Sequence, residues 1–341
     1  MFAYLVRRIA AMVPTLLVIS AIIFLIIRLP GGDYLTNEIL TLESEGNTAA
    51  IAKVEFLRHE YGLDRPVMVQ YASWLGVWPG PNGFSGLLQG NLGWSFEYNR
   101  PVTAVIGDRA LFSLLLNLAA VLFTWIVAFP IGVYSATRQY SLGDYGFTFL
   151  GYLGLAIPNF LLALVMLFFA NRWFGLSIGG LMEPRFVNAG WTLGKVRSVG
   201  AHLIIPTIII GAEGTAGMIR RLRANLLDEL QKQYVVTGRA KGLPPLRLLL
   251  KYPVRMALNP FVADIGNMLP KLISGAAIVS VVLSLPTMGP LLLHALQNQD
   301  QFLAGSMLLI LASLTVIGMF LSDILLAILD PRIRFGGGTA R

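Results

Sequence analysis

The sequence has no cysteine and few charged residues. In 341 residues, cysteine is absent and Asp, Glu, Lys and Arg together make up 13% of the chain. Without cysteine the chain has no disulfide framework, no thiolate nucleophile and no thiolate metal site. A soluble globular protein has roughly a quarter of its residues charged. The low charge content therefore indicates that much of this chain lies in a membrane.

Catalytic signatures are also missing from the sequence. There is no G-x-x-x-x-G-K-[ST] loop for nucleotide phosphates, no H-E-x-x-H zinc motif and no G-x-S-x-G nucleophile elbow. The three histidines, His59, His202 and His294, lie in separate segments without the spacing of metal ligands. We therefore expect a chain that is not an enzyme and that holds no cofactor or metal of its own.

Apolar residues fill six long runs. Hydrophobic residues make up 55% of the chain, and the mean hydropathy is +0.68. Each run is long enough to cross the roughly 30 Å hydrocarbon core of a bilayer as an α-helix, which satisfies its own backbone groups without water. The sequence thus predicts an all-α polytopic membrane protein with six transmembrane helices. The runs are residues 9–27, 111–137, 147–171, 201–219, 261–285 and 302–329.

The predicted organisation has four parts. Residues 1–28 form the first transmembrane helix, which is a retained anchor because no small-x-small cleavage pattern follows its apolar run. Residues 29–110 form a long extracytoplasmic loop, residues 111–330 form a five-helix core, and residues 331–341 form a cytoplasmic tail. The long loop either caps the helix bundle or contacts a partner or the substrate.

Two short helices are predicted inside the long loop. Apolar spacing indicates one helix over residues 49–61, with Gly62 placed to end it. A second helix is expected over residues 66–75, with Asp64 as its cap. Because the second helix carries aromatic residues, we expect both to lie at the outer surface of the membrane.

Basic residues are concentrated between the fourth and fifth apolar runs. Nine Lys or Arg occur between residues 220 and 255, against two acids, Asp228 and Glu229, whereas the long loop carries nine acids. Cytoplasmic loops of membrane proteins are enriched in Lys and Arg, so this bias places the basic segment and both termini in the cytoplasm. This distribution indicates that the net charge of +8 reflects membrane topology and not a nucleic-acid partner.

The basic segment, residues 225–260, is amphipathic and contains a sharp turn. Leu227, Leu230 and Tyr234 recur at helical spacing, which predicts a short amphipathic helix. Gly242 is followed by two prolines and predicts a turn, since glycine tolerates a positive φ and proline does not continue a helix. A basic segment lying on anionic lipid would explain the charges but not the turn. We therefore expect a docking element for a partner protein.

Charged residues inside the apolar runs are candidates for a translocation path. Glu213 lies in the fourth run, and Asp264 and Lys271 lie seven residues apart in the fifth. A charge at the centre of a membrane helix costs about 2.5 kcal/mol or more, so it needs a partner or an aqueous path. The backbones of Asp264 and Lys271 lie roughly 10 Å apart along a helix, so a direct pair requires the lysine to reach back. These charged residues either pair with one another or with other groups in a structural role, or they line the translocation path.

The basic segment resembles a known motif. Its stretches YVVTGRAKGL (residues 234–243) and LLLKYPVRMALNP (residues 248–260) are similar to the EAA loop of ABC importer permeases, in the form found in dipeptide and oligopeptide permeases. Further stretches resemble that family in the same order along the chain, among them GLDRP at residues 62–66, GNLGWS at residues 90–95 and LDPRIR at residues 329–334. Together they cover almost the whole chain.

This resemblance implies a type I ABC importer permease fold in a bacterial inner membrane. It implies a permease for peptides or similar small solutes that works with a second homologous permease, an extracytoplasmic solute-binding protein and two ATP-binding subunits, which hold the ATP and Mg²⁺. The alternative is an ion-coupled secondary transporter, which usually has a longer chain with its own repeats.

The resemblance also implies which residues couple to the ATPase. In such importers a coupling helix within the EAA loop sits in a groove of the ATP-binding subunit. Val236, Thr237 and Gly238 stand where the general motif has Glu-Ala-Ala, so the glutamate of that motif is absent. Ala240, Lys241 and Gly242 match positions of the motif. From their chemistry, the apolar residues Leu227, Leu230, Tyr234 and Leu243 are expected to be buried against the ATPase, and Arg239 to pair with its acidic groups.

Overall fold

The computed structural model describes most of the chain as helices. The described residues are 2–29, 34–45, 48–80, 83–174, 179–186, 189–264, 268, 270, 271, 274 and 276–329. Within these ranges the strands form one two-stranded antiparallel sheet, β1 (Trp94–Ser95) with β2 (Arg100–Pro101). The predicted all-α class is therefore confirmed.

The described helices follow one another along the chain. They are α1 (Phe2–Arg28), α2 (Tyr34–Ser44), α3 (Thr48–Glu60), α4 (Val67–Leu75), α5 (Val102–Thr137), α6 (Leu142–Ala156), α7 (Asn159–Phe174), α8 (Leu193–Leu230), α9 (Gln233–Ala240), α10 (Pro245–Lys251), α11 (Pro253–Ala257), α12 (Asn259–Ala263), α13 (Ala277–Val282), α14 (Met288–Gln297) and α15 (Gln301–Leu329). Single 3₁₀ turns occur at Leu87–Gln89 and Pro184–Phe186. The chain divides into two compact units, the first comprising Met1–Leu111 and Met288–Val316, the second Phe112–Thr287 and Ile317–Arg341.

Four helices of the described residues, α1, α5, α8 and α15, are long and apolar enough to cross a membrane. A fifth candidate is the pair α6 and α7, which meet at an angle of 100°. The run predicted as one α-helix over residues 147–171 is thus divided between two helices. Pro158 explains the break, since it lacks a backbone N–H and disfavours helical geometry at Ile157, which is extended. The run at residues 261–285 lies partly outside the described residues.

In the first unit, α4 packs on α1 through aromatic side chains. The Phe24 ring centroid lies 5.3 Å from that of Tyr71 and 5.7 Å from that of Trp74. The hydroxyl oxygens of Ser20 and Tyr71 lie 2.8 Å apart. The aromatic residues of this predicted surface helix therefore contact a transmembrane helix.

The two helices predicted in the long loop are present. The first is α3, and Gly62 follows it with a φ of 65°, as its predicted role in ending the helix requires. The second is α4, but the expected cap at Asp64 is wrong. Pro66 occupies the cap position without a side-chain hydrogen bond, and the Asp64 carboxylate lies 2.8 Å from His59 Nδ1 instead.

The small sheet is attached to the start of α15. Ser95 Oγ donates a 2.6 Å hydrogen bond to Asp300 Oδ2, and Asp300 Oδ1 accepts one from the Leu303 N–H, which caps α15. Ser306 Oγ donates to the Leu92 carbonyl. Asp300 is fully buried, and this burial raises the pKa of its carboxyl, while the hydrogen bonds it accepts act in the opposite direction. The GNLGWS stretch is thereby fixed to a transmembrane helix.

In the second unit, α8 is the element around which the others pack, since it contacts α6, α7 and α11. It also approaches α5 closely. A Cβ at Gly211 would lie 2.6 Å from the Phe123 ring, and Thr124 Oγ1 donates a hydrogen bond to the Gly211 carbonyl. Small residues allow this approach between membrane helices. Towards its end, α8 enters a buried apolar cluster with Leu222 and Leu226.

Candidate functional site

The basic segment begins inside a long helix. We predicted a separate short helix around Leu227 and Leu230, and this prediction is wrong, because both residues belong to the last turns of the 38-residue α8. Both also pack against the buried cluster that contains Leu222, Leu226 and Phe261. Their side chains therefore contribute to the packing of the chain itself, and the separate short helix is α9.

One face of α9 is buried and the other is exposed. Val235 is 2% exposed, and Gly238 is buried beside α10. A Cβ at Gly238 would lie 2.5 Å from Leu248 Cδ1, so the glycine allows α9 and α10 to approach closely. On the other face, Val236 is 54% exposed. The remaining exposed residues of this outward face are Gln233, Tyr234, Thr237, Arg239 and Ala240.

The predicted turn after α9 is confirmed. Gly242 has a φ of +76°, a conformation that residues with a Cβ rarely adopt. The Leu243 N–H donates to the Gly238 carbonyl at 3.2 Å, and the Gly242 N–H donates to the Arg239 carbonyl at 3.0 Å. These two bonds form a Schellman motif, which satisfies carbonyls at the end of the helix. Pro245 then starts α10 as its first residue.

Tyr234 connects the start of α9 to the end of α8 and to Tyr252. Its hydroxyl donates a hydrogen bond to the Glu229 carboxylate at the end of α8, and its ring centroid lies 6.3 Å from that of Tyr252, just before α11. Burial and the neighbouring carboxylate raise the pKa of the Tyr234 hydroxyl, so it stays protonated and able to donate. These contacts fix the start of α9, and the Schellman motif fixes its end.

The outward face of α9 continues into a cationic surface. Arg239, Lys241, Arg247, Lys251 and Arg255 are all exposed. Across the part of the chain that the structure describes, no carboxylate lies within ion-pair distance of these five side chains. Single exposed ion pairs contribute only about 0–1 kcal/mol. A partner bound here would gain most from apolar contact with α9 and would be oriented by its acidic groups.

An ion pair between the half-buried Arg223 and the buried Asp144 joins α8 to the start of α6. Arg223 Nε donates to Asp144 Oδ1 at 3.0 Å, and Arg223 Nη2 donates to Asp144 Oδ2 at 2.9 Å. The carboxylate also accepts the Tyr140 N–H, and Ser141 Oγ accepts the Asp144 N–H as the cap of α6. Sequence reasoning missed this pair. Its only signal is a serine three residues before an acid at a helix start, which resembles a capping box.

The charged residues within the spans have separate partners. Asp264 accepts a 2.6 Å hydrogen bond from Arg221 Nη1 on α8. No ion pair between Asp264 and Lys271 occurs among the described residues. Glu213 accepts a hydrogen bond from Asn159, the first residue of α7. Since Arg221 lies eight residues after Glu213, about 12 Å along α8, the structure does not bring Glu213 and Asp264 together. Lys271 is exposed, and several of its sequence neighbours lie outside the described residues.

Comparison with protein families gives matches to two parts of the chain. The model for the binding-protein-dependent transport system inner membrane component matches residues 128–335, and the model for the N-terminal part of such membrane components matches residues 1–119. The first match contains α8, α9 and the turn at Gly242.

Full-length relatives are similar along the whole chain. The oligopeptide transport system permease protein AppB of Bacillus subtilis is 34% identical over 98% of this chain and 100% of its own length. The dipeptide transport system permease protein DppB of Escherichia coli strain K12 is 27% identical over 98% of this chain and 99% of its own. The glutathione transport system permease protein GsiC of Pectobacterium atrosepticum is 29% identical over 98% of this chain and 100% of its own length.

Proposed function

Because the chain belongs to the family of binding-protein-dependent transport system inner membrane components, we propose that it forms half of the translocation pathway of an ATP-driven importer and couples to an ATPase through α9. The observation that carries this proposal is the outward face of α9, a short helix fixed at both ends with an exposed surface and a cationic surround. ATP and Mg²⁺ would be held by partner subunits. The partners are a second homologous permease, two ATP-binding subunits and an extracytoplasmic solute-binding protein.

The fixed position of α9 suits the transmission of force. An element that moves with a partner can shift the membrane helices only if it is stiff and rigidly attached to them. The Schellman motif, the Tyr234–Glu229 hydrogen bond and the buried Val235 attach α9 to α8 and α10. A helix of 38 residues extends about 57 Å, so α8 can carry a displacement of α9 through the bilayer.

The exposure of each residue in the structure revises the set that we propose to contact the ATPase. Tyr234, Arg239, Ala240, Lys241 and Gly242 keep that role because they are exposed on or beside α9, and Leu243 supports the turn between them and α10. Leu227 and Leu230 pack on the buried cluster, so we propose that they anchor the end of α8, from which α9 follows.

Peptides or similar small solutes are the proposed substrates. The names of the relatives assign oligopeptides, dipeptides and glutathione to their transport systems, and these are chemically related. We place both chain termini and α9 in the cytoplasm and the long loop outside, in accordance with the distribution of Lys and Arg. A reporter inserted after Lys241 should report cytoplasm, and one inserted at residue 82 should report the exterior.

The coupling role is tested by a pair of matched substitutions. Ala240→Asp places a carboxylate on the outward face of α9, whereas Ala224→Asp places one at an exposed position of α8. We expect Ala240→Asp to abolish co-purification of the ATP-binding subunits with the permease pair, because it buries an unpaired charge in the interface. Ala224→Asp should retain them. Equal retention of the ATP-binding subunits by both variants would reject α9 as the docking helix.

An ion-coupled transporter is the competing function, and uptake in proteoliposomes separates the two. The complex with its binding protein should take up substrate when ATP is enclosed with the ATP-binding subunits, without any ion gradient. Uptake that depends on a proton or sodium gradient and is independent of ATP would support the competing function.

A further inference from the structure

A cavity of about 380 Å³ lies within the first unit. Its walls come from the end of α1, the start of α15, α4 and the loops that lead from α3 to β2. Ligand pockets in proteins typically measure about 300–1,000 Å³. The coupling function described above makes no use of this cavity.

Aromatic rings form much of the wall. Phe24 and Trp74 pack against each other on one side, and Tyr61 and Phe302 pack with ring centroids 6.2 Å apart on another. Gly305 faces the Trp74 ring, where a Cβ would lie 3.2 Å from Cζ2. The cavity therefore offers an apolar and aromatic surface to whatever enters it.

A glycine-containing loop supplies a fixed wall. The backbone at Gly86 lies against that at Gly76, since a Cβ at Gly86 would be 2.4 Å from the Gly76 nitrogen. Gln89 fastens the contact, because its Oε1 accepts the Gly86 N–H and its Nε2 donates to the Gly76 carbonyl. The contact between Gly76 and Gly86 and the hydrogen bonds of Gln89 therefore fix the shape of this wall.

Charges of both signs line the same cavity. Arg28, Arg65 and Glu60 are among its lining residues, and Arg65 Nη1 donates a hydrogen bond to the Pro79 carbonyl. The Arg28 guanidinium lies 4.8 Å over the Phe24 ring and donates to the Gln70 side chain, which positions it. Ser73 Oγ is buried in the wall and has no hydrogen-bond partner among the described residues.

We propose that this cavity binds a small zwitterion, with an anionic group beside Arg28 and Arg65, an ammonium group beside Glu60, and an apolar part against the aromatic rings. The Glu60 carboxylate would repel a purely anionic ligand, and the guanidinium groups of Arg28 and Arg65 would repel a purely cationic one. A zwitterion satisfies both. The aromatic faces add attraction for the ammonium group.

Two sources supply this chemistry. Phe24 and Arg28 lie in the last turns of α1, and Phe302 and Gly305 lie in the first turns of α15, so the cavity is placed where two candidate spans end. A zwitterionic phospholipid headgroup, phosphatidylethanolamine, reaches this level from the membrane. A free dipeptide, with its terminal carboxylate and ammonium, reaches it from solution.

The test uses Glu60→Gln with Glu55→Gln as its matched control. Both glutamates are exposed residues of α3, and only Glu60 lines the cavity. The permease complex is placed in phosphatidylglycerol nanodiscs, and binding of added phosphatidylethanolamine is measured by native mass spectrometry. Binding of Ala-Ala and of N-acetyl-Ala-Ala, which lacks the ammonium group, is measured on the same samples by calorimetry. An Arg65→Gln variant tests the anionic side of the site.

Each outcome decides the proposal. Phosphatidylethanolamine binding that is at least about fivefold weaker in Glu60→Gln and in Arg65→Gln, but not in Glu55→Gln, supports the proposal with lipid as the source. The same pattern for Ala-Ala, with no binding of the acetylated peptide, supports it with peptide as the source. Absence of zwitterion binding to the unmodified complex, or equal binding by Glu60→Gln and Glu55→Gln, overturns it.

Discussion

Arg223 and Asp144 form a two-bonded ion pair between α8 and the start of α6, and only 2% of Asp144 is exposed. A second contact, from Asn159 to Glu213, joins the start of α7 to the same helix. Glu213 and Arg223 are ten residues apart, about 15 Å along α8. Through these contacts α8 is joined to the bent pair α6 and α7 at two levels.

Loss of one partner of this pair should destabilise the protein. Arg223→Met leaves the Asp144 carboxylate buried without its cation, and we expect a loss of about 3 kcal/mol in the free energy of unfolding in mixed micelles. Adding Asp144→Asn should recover part of that loss, because it removes the stranded charge. The control is Arg220→Met, at an exposed position of the same helix. Equal and small effects at Arg223 and Arg220 would show that the pair does not stabilise the fold.

The turn after α9 should depend on backbone conformation alone. An added Cβ would meet nothing within 4 Å at Gly242 or at Gly146, but Gly242 has a φ of +76° and Gly146 lies inside α6. Gly242→Ala should therefore lower stability by about 1 kcal/mol, whereas Gly146→Ala should be neutral or raise stability by about 0.5–1 kcal/mol. Thermal unfolding of both variants in detergent measures the difference. Shifts of the same sign and size would contradict the role of Gly242.

Charged residues within the spans should matter for transport. Glu213→Ala removes the acceptor for Asn159, and Asp264→Ala removes the carboxylate that Arg221 contacts. Because a charged group in or beside a membrane span needs a partner or an aqueous path, we expect either substitution to lower uptake per inserted permease severalfold. Glu43→Ala on the exposed face of α2 is the control and should have little effect. Normal uptake in both span variants would remove these residues from the translocation path.

The buried Asp300 should give the first unit a characteristic pH dependence. Burial raises the pKa of this carboxyl above its ordinary value of 3.8. At a pH between 3.8 and the folded-state pKa, the carboxyl is therefore protonated in the folded state and ionised in the unfolded state. Stability should therefore fall as the pH rises from 3.8 through the folded-state pKa, and it should level off above that pKa. In thermal unfolding, the advantage of the native protein over Asp300→Asn should be larger at acid pH.

Asp64 provides the comparison of opposite sign. Its hydrogen bond with His59 lowers the pKa of the Asp64 carboxyl, so its contribution should be present above 3.8 and be lost as the pH falls through the folded-state pKa. The advantage of the native protein over Asp64→Asn should therefore grow as the pH rises. If the Asp300 and Asp64 comparisons changed in the same direction with pH, the assignment of Asp300 would be contradicted.

Local features of this structure were predictable from the sequence. The turn at Gly242, the end of α3 at Gly62 and the long apolar helices follow from glycine conformation and from hydropathy, which act over a few neighbouring residues. The break at Pro158 was missed because its run is uniformly apolar and proline is tolerated within membrane helices. Hydropathy alone does not distinguish a bent helix pair from a straight span.

Side-chain contacts between residues far apart in the chain could not be predicted from a single sequence. Asp144 and Arg223 are 79 residues apart, and Ser95 and Asp300 are 205 apart, so no periodicity or spacing connects them. The helical pattern at Leu227 and Leu230 was identified correctly but assigned to the wrong surface. A repeat of apolar residues indicates a buried face, and it does not reveal whether the same chain or a partner buries it.

The coupling role of α9 is tested most directly by site-specific cross-linking to the ATP-binding subunits. The natural chain has no cysteine, so a single introduced cysteine carries a photoactivated cross-linker at one known position. We expect Thr237→Cys and Ala240→Cys, both on the outward face of α9, to cross-link to an ATP-binding subunit in the assembled complex, and Ala224→Cys not to do so. Cross-linking from position 224 with none from 237 or 240 would contradict the account.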